Sequence, residues 1–375
     1  MKERVTIIGG GNGAFASAGD LSLRGHEVVL FEFPEFEANI SDVKKLGGIN
    51  FTTLPSSGLQ EGFGRLYKIT TDIEDALEGS EIIFVIIPAY GHENVAKSLA
   101  PYLRDGHIIV LAPSNFGGSV LFSKWLNQYG CEKDVHIVEF ECMMYACRKK
   151  DSTSVWARGY KHGLGCAFFP SCDSDEVFNR LKEVYPILVK RNNVIETWLS
   201  NINTIVHTSL MMLNANSIDN KRDMLFYREC LTDSVENLME KLEKERLGIN
   251  GIEGITLLPL AQIMKNYYSH QGAEGNTMRE LANSNPIFNW SKMPTTLEHR
   301  YITEDVPYGL IPMWELLGEY GLPNNTTKSL IDIICAMCNK DFYKDAITLD
   351  TVGIKGLTKE ELIQYVTFGN KSLQV

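Results

Sequence analysis

The chain has 375 residues, of which 44% are hydrophobic and 22% are charged, and its formal net charge at pH 7 is −11. This composition is typical of a globular protein, and the length is sufficient for two domains with separate cores. The negative charge argues against general binding to nucleic acid or to anionic membranes, because such binding needs clustered lysine and arginine. The sequence also contains no apolar run of membrane-spanning length.

The amino-terminal sequence and the cysteines predict a cytoplasmic protein. MKERVTIIGGGNG leads directly into an apolar strand and lacks the apolar core and cleavage site of a signal peptide. The eight cysteines have no framework spacing, which is typical of reduced thiols. The one CxxC pair, Cys335 and Cys338, lies in an apolar helical pattern with no second pair and no nearby histidine, so we expect no metal site.

The first half of the chain alternates short apolar runs with amphipathic helical patterns. The runs are rich in β-branched residues and read as strands at residues 4–8, 27–32, 81–87, 107–112 and 135–141. Continuous apolar strands separated by helices indicate a mostly parallel, doubly wound sheet that is covered on both faces. We therefore predict an α/β domain of the Rossmann type.

A glycine-rich turn, GGGNGA, follows the first predicted strand and precedes a helical pattern. In a dinucleotide-binding turn, Gly9 would permit the tight bend and Gly11 would let the backbone approach a pyrophosphate. Ala14 would keep the following helix close to the sheet. Asn12 and Gly13 belong to the first turn of that helix, whose amino terminus is predicted to face the phosphates. The pattern alone is weak, but its position between a strand and a helix supports cofactor binding.

The second predicted strand ends in an acidic residue, Glu32, which lies 18 residues after Ala14. A carboxylate at about this distance binds the 2′-hydroxyl of the adenosine ribose and repels the 2′-phosphate of NADP. The next residues, FPE, provide no arginine that would accept such a phosphate. The sequence therefore predicts NAD(H) as the cofactor, with NADP less favoured.

Two further loops follow predicted strands and are expected near the ligand, because ligands of such sheets bind beyond the carboxyl ends of the strands. PAYGHE places Pro88 near the cofactor, and PSNFGG places Asn115 near the substrate. His92 is as consistent with a turn and helix cap as with a ligand contact. Glu141, at the end of the fifth predicted strand, and Arg148, seven residues later, are assigned no role from the sequence.

From about Asn192 onward the sequence is dominated by long helical patterns, one of which, YRECLTDSVENLMEKLEKERLG, begins at Tyr227. We predict an all-α second domain at residues 191–375 that follows an NAD-binding domain at residues 1–190. The segment 297–312, LEHRYITEDVPYGLIP, interrupts the helical pattern with two prolines and a glycine. Its ionisable residues fit either a surface loop with internal ion pairs or a loop that contributes an ionised pair to a cleft.

One apolar helical pattern, NINTIVHTSLMMLN, contains Asn203, His207 and Asn214. At about 100° per residue, these three side chains lie within about 40° of one another on the helix surface. Buried polar groups need partners, so this face is either satisfied within the protein or faces a cavity. A lone histidine on an apolar helix is usually a core residue, but the nucleotide domain and the segment 297–312 favour a catalytic His207.

The chain resembles the octopine/nopaline-type opine dehydrogenases over nearly its whole length. The resemblance depends on GGGNGAFA, on TTDIEDALEGSEIIFVIIPAYGHE, on Asn203-x-x-x-His207 and on HRYITEDVPYGL. It implies an amino-terminal Rossmann domain, a helical carboxy-terminal domain and a site between them. It also implies an enzyme that reductively joins an amino acid to a 2-oxo acid, commonly pyruvate, with NADH or NADPH. The resemblance also suggests a homodimer, which is common in this family.

The same resemblance implies roles for four residues of the second domain. His207 would be the catalytic acid and base, and Asp305 its carboxylate partner. Arg300 would bind a substrate carboxylate, and Asn203 would orient the substrate or the nicotinamide. The sequence departs from the family pattern at Thr208, where many members have proline, and at Ala14, where the third glycine of the turn is missing.

Two other functions fit the same residues. A hydroxyacid dehydrogenase would use a histidine, a carboxylate and an arginine to reduce an oxo acid directly, without an amine. An NAD-binding protein without catalytic activity would bind NADH and would not need these three residues together. The sequence does not identify the amino acid substrate.

Overall fold

The computed structural model describes residues 2–172 and 174–369. Contacts divide this chain into two compact units. The first unit runs to Ser114 and resumes from Gly118 to Lys190, and the second combines Asn115–Gly117 with the chain from Arg191 onward. Residues 115–117 were predicted to belong to the amino-terminal domain, whereas their contacts place them in the second unit.

The strands lie in the first unit. Their bounds are β1 Arg4–Ile8, β2 Glu27–Phe31, β3 Gly48–Thr53, β4 Gly62–Arg65, β5 Lys68–Thr70, β6 Ile82–Val85, β7 Ile108–Leu111, β8 His136–Phe140, β9 Tyr145–Lys149, β10 Ser154–Tyr160, β11 Leu164–Phe169 and β12 Leu188–Lys190. The helices of the same unit are α1 Asn12–Leu23, α2 Ser41–Leu46, α3 Ile73–Leu77, α4 His92–Leu99, α5 Gly118–Gln128 and α6 Asp175–Val184.

The main sheet of the described chain has the order β12-β11-β8-β7-β6-β1-β2-β5. The strands from β5 to β8 run parallel to one another, and β11 pairs with β8 in the antiparallel sense. The order β5-β2-β1-β6-β7-β8 is that of a dinucleotide-binding fold, whose direction of growth reverses between β1 and β6. The predicted mostly parallel Rossmann sheet is confirmed, with β11 and β12 as an unpredicted extension.

A second sheet, with the order β4-β3-β10-β9, was not predicted. It packs against α1, where a Cβ on Gly19 would stand 2.9 Å from the ring of Phe51 in β3. Because glycine has no side chain, the helix and the second sheet can approach closely at this point. The sheet brings β9 next to the first turn of α1, and therefore next to the glycine-rich turn.

The second unit is helical, and between residues 191 and 369 the structure contains no strand of more than a single bridge, Leu225 with Lys292. The all-α prediction is thus confirmed. The helices are α7 Val194–Ser200, α8 Asn203–Leu213, α9 Ala215–Asp219, α10 Asp233–Leu247, α11 Leu260–Tyr268, α12 Met278–Ser284, α13 Arg300–Thr303, α14 Ile311–Glu319, α15 Asn325–Cys338, α16 Leu349–Val352 and α17 Lys359–Phe368.

One helical prediction in this unit was wrong in extent. The pattern beginning at Tyr227 was read as one long helix, but α10 begins only after Thr232 and the residues before it form turns. The segment 297–312 contains no continuous α-helix, as predicted, because α13 ends at Thr303 and is followed by two turn residues, one turn of π-helix at Val306–Leu310 and the start of α14. Pro307 and Pro312 occupy first-turn positions in these elements, where proline's missing N–H is tolerated.

Candidate active site

The predicted cofactor turn lies at the carboxyl end of β1. Gly9 has a φ of +123°, and a Cβ there would stand 2.6 Å from the carbonyl oxygen of Ile86 at the end of β6. Glycine is required at this position, because both the backbone angle and the space exclude a side chain. A Cβ on Gly11 would meet no atom of the protein within 4 Å. Gly11 therefore leaves open space in front of the helix, as a phosphate cradle requires.

The first turn of α1 is held from two sides. Gly13 lies against Met143, so that a Cβ there would stand 2.5 Å from the methionine Cε, and Ala14 is fully buried. The Asn12 side chain accepts a hydrogen bond of 2.8 Å from the backbone N–H of Lys149 in β9. This bond ties Asn12 to the second sheet, so its side chain fixes the turn in addition to any contact with a cofactor.

Glu32 follows β2 and is 5% exposed. One carboxylate oxygen accepts from the N–H of Phe33 at 3.0 Å and the other from the amide of Asn39 at 3.1 Å. A carboxylate has about four acceptor positions, so it can also bind ribose hydroxyls. Pro88 lies after β6, at the same edge of the sheet, and begins a short 3-10 turn. These residues fit the adenosine half and the pyrophosphate of NAD(H).

Lys149, which was not predicted as a site residue, has its ammonium group beside the glycine-rich turn. Its Nζ donates to the carbonyl of Gly10 at 3.3 Å and to the carbonyl of Asn39 at 3.2 Å, and lies 3.6 Å from the centre of the Phe15 ring. Burial lowers the pKa of Lys149, and the nearby carboxylate of Glu32 opposes that shift. The exposed Arg148 points away, since neighbouring side chains of a strand alternate. The alternation of buried and more exposed residues in YACRK is the sequence pattern that could have indicated this strand and the direction of the Lys149 side chain.

For His92 the sequence allowed either a role in the turn and helix cap or a contact with a ligand, and the structure supports the first. The ring is 1% exposed and hydrogen-bonds to the backbone of Ile87, which lies just before Pro88. Burial lowers the pKa of His92 to about 4, so the ring is neutral at pH 7. His92 therefore holds the loop after β6 in place.

In the second unit, α8 carries His207 at its centre. The His207 Nδ1 and the Asp305 Oδ2 are 2.6 Å apart, and the residues are 5% and 8% exposed, respectively. The ring of Tyr301 stacks on the imidazole with a centroid distance of 3.6 Å, and the hydroxyl of Tyr227 lies 2.8 Å from Nε2. The imidazole is thus held at both nitrogens and on one face.

Close packing between α8 and the π-helical turn places Asp305 at His207. A Cβ on Gly309 would stand 2.5 Å from the Thr204 hydroxyl oxygen, so only glycine permits this approach. Thr208, which replaces the proline of many family members, donates its hydroxyl to the carbonyl of Thr204 at 2.6 Å. This departure therefore leaves α8 continuous through the histidine.

Arg300, the first residue of α13, forms an ion pair of 3.0 Å with the buried Glu304. The Arg300 side chain is 60% exposed. Glu304 also accepts from the amide of Asn115 at 3.2 Å, and the carbonyl of that amide accepts from Asn201 at 3.1 Å. Asn115, with a φ of +63°, is thus bound at both ends of its side chain to residues of the second unit.

The two asparagines that the helical periodicity grouped with His207 behave differently. Asn203 is the first residue of α8, one turn before His207, and is partly exposed. Asn214 lies at the end of the helix, where its amide donates to the carbonyls of Leu210 and Cys230. Asn214 is therefore satisfied by the backbone, and only Asn203 and His207 belong to the candidate site.

Among residues 2–172 and 174–369, no group of three or more histidine, cysteine and acidic side chains is placed to hold a metal ion. Over the same described residues, no helix has the length and apolar character needed to cross a membrane. The eight cysteines are free thiols.

A dinucleotide-binding sheet with a phosphate cradle, followed by a helical unit with a buried histidine–carboxylate pair, defines a nicotinamide-dependent dehydrogenase. Residues 190–338 match the family model of the α-helical domain of NAD/NADP octopine/nopaline dehydrogenase. Residues 4–115 match the amino-terminal model of NAD-dependent glycerol-3-phosphate dehydrogenase.

Known proteins are similar to this chain over nearly its whole length. An opine dehydrogenase of Arthrobacter sp. (strain 1C) is 29% identical over 94% of this chain and 95% of its own. Octopine dehydrogenase in complex with NADH and L-arginine has a TM-score of 0.73 at 20% identity, covering 96% of this chain and 98% of its own. Its complex with NADH and pyruvate has a TM-score of 0.73 at 21% identity, covering 97% and 98%.

The chain is similar to the octopine/nopaline-type opine dehydrogenases over nearly its whole length. It is an NAD(H)-dependent oxidoreductase that acts on CH–NH bonds, and its reaction class is the reductive condensation of an amino acid with a 2-oxo acid. The predicted resemblance to this family, the reaction class and the cofactor are confirmed.

Proposed function

We propose that this enzyme condenses the amino group of an amino acid with pyruvate and that His207 is the acid and base of the reaction. The observation that carries the proposal is the buried pair of His207 and Asp305, with 2.6 Å between Nδ1 and Oδ2. Related structures with bound pyruvate and bound L-arginine support the two substrate classes.

The proton chemistry follows from the two nitrogens of the imidazole. Asp305 accepts from Nδ1 and stabilises the positive charge of the protonated ring, which leaves Nε2 to exchange a proton. As an acid, His207 supplies the proton with which the hydroxyl of the carbinolamine leaves as water while a C=N bond forms. A protonated imine is a better hydride acceptor than a neutral one. NADH, when bound, supplies the hydride that reduces the imine carbon.

Substrate orientation is assigned to the residues around this pair. The exposed guanidinium of Arg300 has five N–H donors, so it can bind the carboxylate of the oxo acid while it keeps its ion pair with Glu304. Asn203, one turn before His207, would orient the substrate or the nicotinamide with its amide. Asn115 would act at the substrate through the position of Glu304, which its amide holds.

Cofactor binding is assigned to the first unit. Gly9, Gly11, Asn12, Gly13 and Ala14 would form the pyrophosphate turn, because these residues leave space and free backbone N–H groups at the start of α1. The carboxylate of Glu32 would bind the ribose hydroxyls and disfavour NADP, while Pro88 would line the nicotinamide side of the turn. Lys149 adds a positive charge beside the Glu32 carboxylate and the Gly10 carbonyl.

We also propose that the enzyme works in the cytoplasm, which its free thiols support. A homodimer is proposed only from the family habit, and light scattering on the purified protein would test it.

The decisive experiment follows the absorbance of NADH with pyruvate alone, and then with pyruvate plus each amino acid in turn. We expect oxidation only when both substrates are present, and loss of nearly all activity in His207→Ala. The control is His270→Ala, which removes an exposed histidine of the same unit and should leave the rate unchanged. Oxidation with pyruvate alone would identify a hydroxyacid dehydrogenase, and full activity of His207→Ala would refute the catalytic assignment.

A further inference from the structure

The nitrogen of His207 that remains for proton exchange is already in contact with a phenol. Nδ1 is bound to Asp305, and the hydroxyl of Tyr227 lies 2.8 Å from Nε2. One face of the imidazole is covered by Tyr301 at a centroid distance of 3.6 Å. The reactive edge of His207 is therefore the one that Tyr227 occupies.

Tyr227 is held in place by its surroundings. Its ring stacks on Phe288 with a centroid distance of 4.4 Å and an interplanar angle of 29°. The preceding residue, Phe226, donates its backbone N–H to the carbonyl of Ser291 at 2.7 Å, next to the antiparallel bridge between residues 225 and 292. Backbone pairing and ring packing thus fix the phenol, so its contact with Nε2 does not depend on a freely moving side chain.

A phenol hydroxyl both donates and accepts a hydrogen bond. It can accept from the protonated His207 and donate to the neutral ring, so the contact persists in both charge states. This property distinguishes tyrosine from the carboxylate on the other side of the ring, which only accepts when ionised. A group with both capacities, placed between an acid and a substrate, can pass a proton in either direction.

We propose that Tyr227 is a further catalytic residue, whose hydroxyl relays the proton between Nε2 of His207 and the reacting substrate. The inference rests on the proposed role of His207. In the dehydration step, Nε2 gives its proton to the Tyr227 oxygen while Tyr227 gives its own proton to the carbinolamine hydroxyl. The C–O bond breaks, water leaves, and the nitrogen lone pair forms the C=N bond. Tyr227 ends as a neutral phenol and His207 as a neutral imidazole.

The test compares Tyr227→Phe with Tyr320→Phe. Phenylalanine at 227 keeps the ring that stacks on Phe288 and removes only the hydroxyl. Tyr320 is a partly buried tyrosine of the same unit whose hydroxyl donates to the carbonyl of Leu357 at 3.2 Å, so its removal controls for loss of one buried hydrogen bond. The measurements are kcat, kcat/KM for the oxo acid, binding of NADH, and the dependence of the rate on the D2O fraction.

We expect Tyr227→Phe to lower kcat/KM by about 100-fold, within the usual range for loss of a proton-transfer group. NADH binding should not change, and the curved dependence on D2O fraction that two moving protons produce should become linear. Tyr320→Phe should resemble the wild-type enzyme. A kcat/KM of Tyr227→Phe within about threefold of wild type would overturn the relay.

Two further variants keep the result unambiguous. If His207→Gln retains activity, the proposed role of His207 fails; if it is inactive while Tyr227→Phe is active, only the relay fails. Replacement of Tyr227 by 3-fluorotyrosine preserves the shape of the side chain and makes the phenol more acidic. The relay requires this replacement to displace the pH profile of kcat/KM, and a profile that superimposes on the wild type would contradict it.

Discussion

The carboxylate of Asp305 offers the most direct test of the proposed acid–base chemistry. Asp305→Asn keeps the shape of the side chain and removes its charge at a position where both partners are less than one-tenth exposed. A hydrogen bond to a charged group contributes about 1.5–3 kcal/mol. If this interaction stabilises the protonated His207 in the transition state, its loss corresponds to a decrease in rate of about 10- to 150-fold.

A second effect acts in the same direction. The amide of an asparagine can donate to Nδ1, where the carboxylate accepts, and this would favour the tautomer that carries its proton on Nε2. A neutral imidazole of that tautomer cannot accept a proton at Nε2 from the substrate side. We therefore expect a decrease in kcat/KM of about 100-fold or more, in both directions of the reaction.

The assay is steady-state oxidation of NADH with saturating amino acid and varied oxo acid, together with the fluorescence of bound NADH. Binding of NADH should be unchanged, since Glu32 and the glycine-rich turn lie in the other unit. Asp332→Asn serves as the control, because it neutralises an exposed carboxylate that pairs with Lys328 on the surface of the same unit. A folded Asp305→Asn enzyme with kcat/KM within threefold of wild type would refute the stabilisation of His207 by this carboxylate.

Three other predictions follow from the packing, the cofactor turn and a buried histidine. Gly309→Ala should lower the free energy of unfolding, measured by denaturant titration, by about 1–3 kcal/mol, because its Cβ would collide with Thr204. The double variant with Thr204→Ala should regain most of this loss. If the two substitutions instead lower the free energy of unfolding additively, the collision is excluded. Glu32→Gln should raise the KM for NADH by about 10- to 100-fold, because a hydrogen bond to a charged group is lost, and it should reduce the preference of the enzyme for NADH over NADPH. An unchanged KM for both cofactors would show that the ribose does not bind at Glu32. The pKa of His92 is about 4 in the folded protein and about 6.5 when unfolded, so the unfolded state binds the extra proton and stability falls as the pH drops through this window. Between pH 7 and pH 5 the loss is about 2 kcal/mol, and His92→Gln, which cannot titrate, should lose correspondingly less.

Local sequence patterns predicted the part of the fold that depends on short-range order. Strands such as Arg4–Ile8 and Ile108–Leu111 are continuous apolar runs, and a buried parallel strand needs little more than that. The glycine-rich turn was also recognisable, because Gly9 must adopt a backbone angle that few other residues tolerate. Local patterns did not predict strands that are short and have both buried and exposed residues, such as Tyr145–Lys149. Lys149 was therefore not recognised as a site residue.

The candidate site was predicted in part by helical periodicity and in part by family resemblance. Periodicity placed Asn203 and His207 on one helix face, one turn apart, and also selected Asn214, which the backbone satisfies. Resemblance supplied Asp305, which lies 98 residues from His207 in sequence and 2.6 Å from it in space. Neither route identified Tyr227, because its segment was read as the start of a helix that begins only at Asp233.

By itself, the sequence determined the class of fold, the cofactor turn and the helix that carries the histidine, since each of these depends on residues close together in the chain. Tertiary structure decided which groups surround that histidine. The Tyr227 hydroxyl reaches Nε2 only because segment 224–226 pairs with residues near 291 and its ring stacks on Phe288. Asp305 lies at Nδ1 of His207 because Gly309 allows its own segment to pack closely against α8. Contacts of this kind join residues far apart in sequence, and no local pattern of residues encodes them.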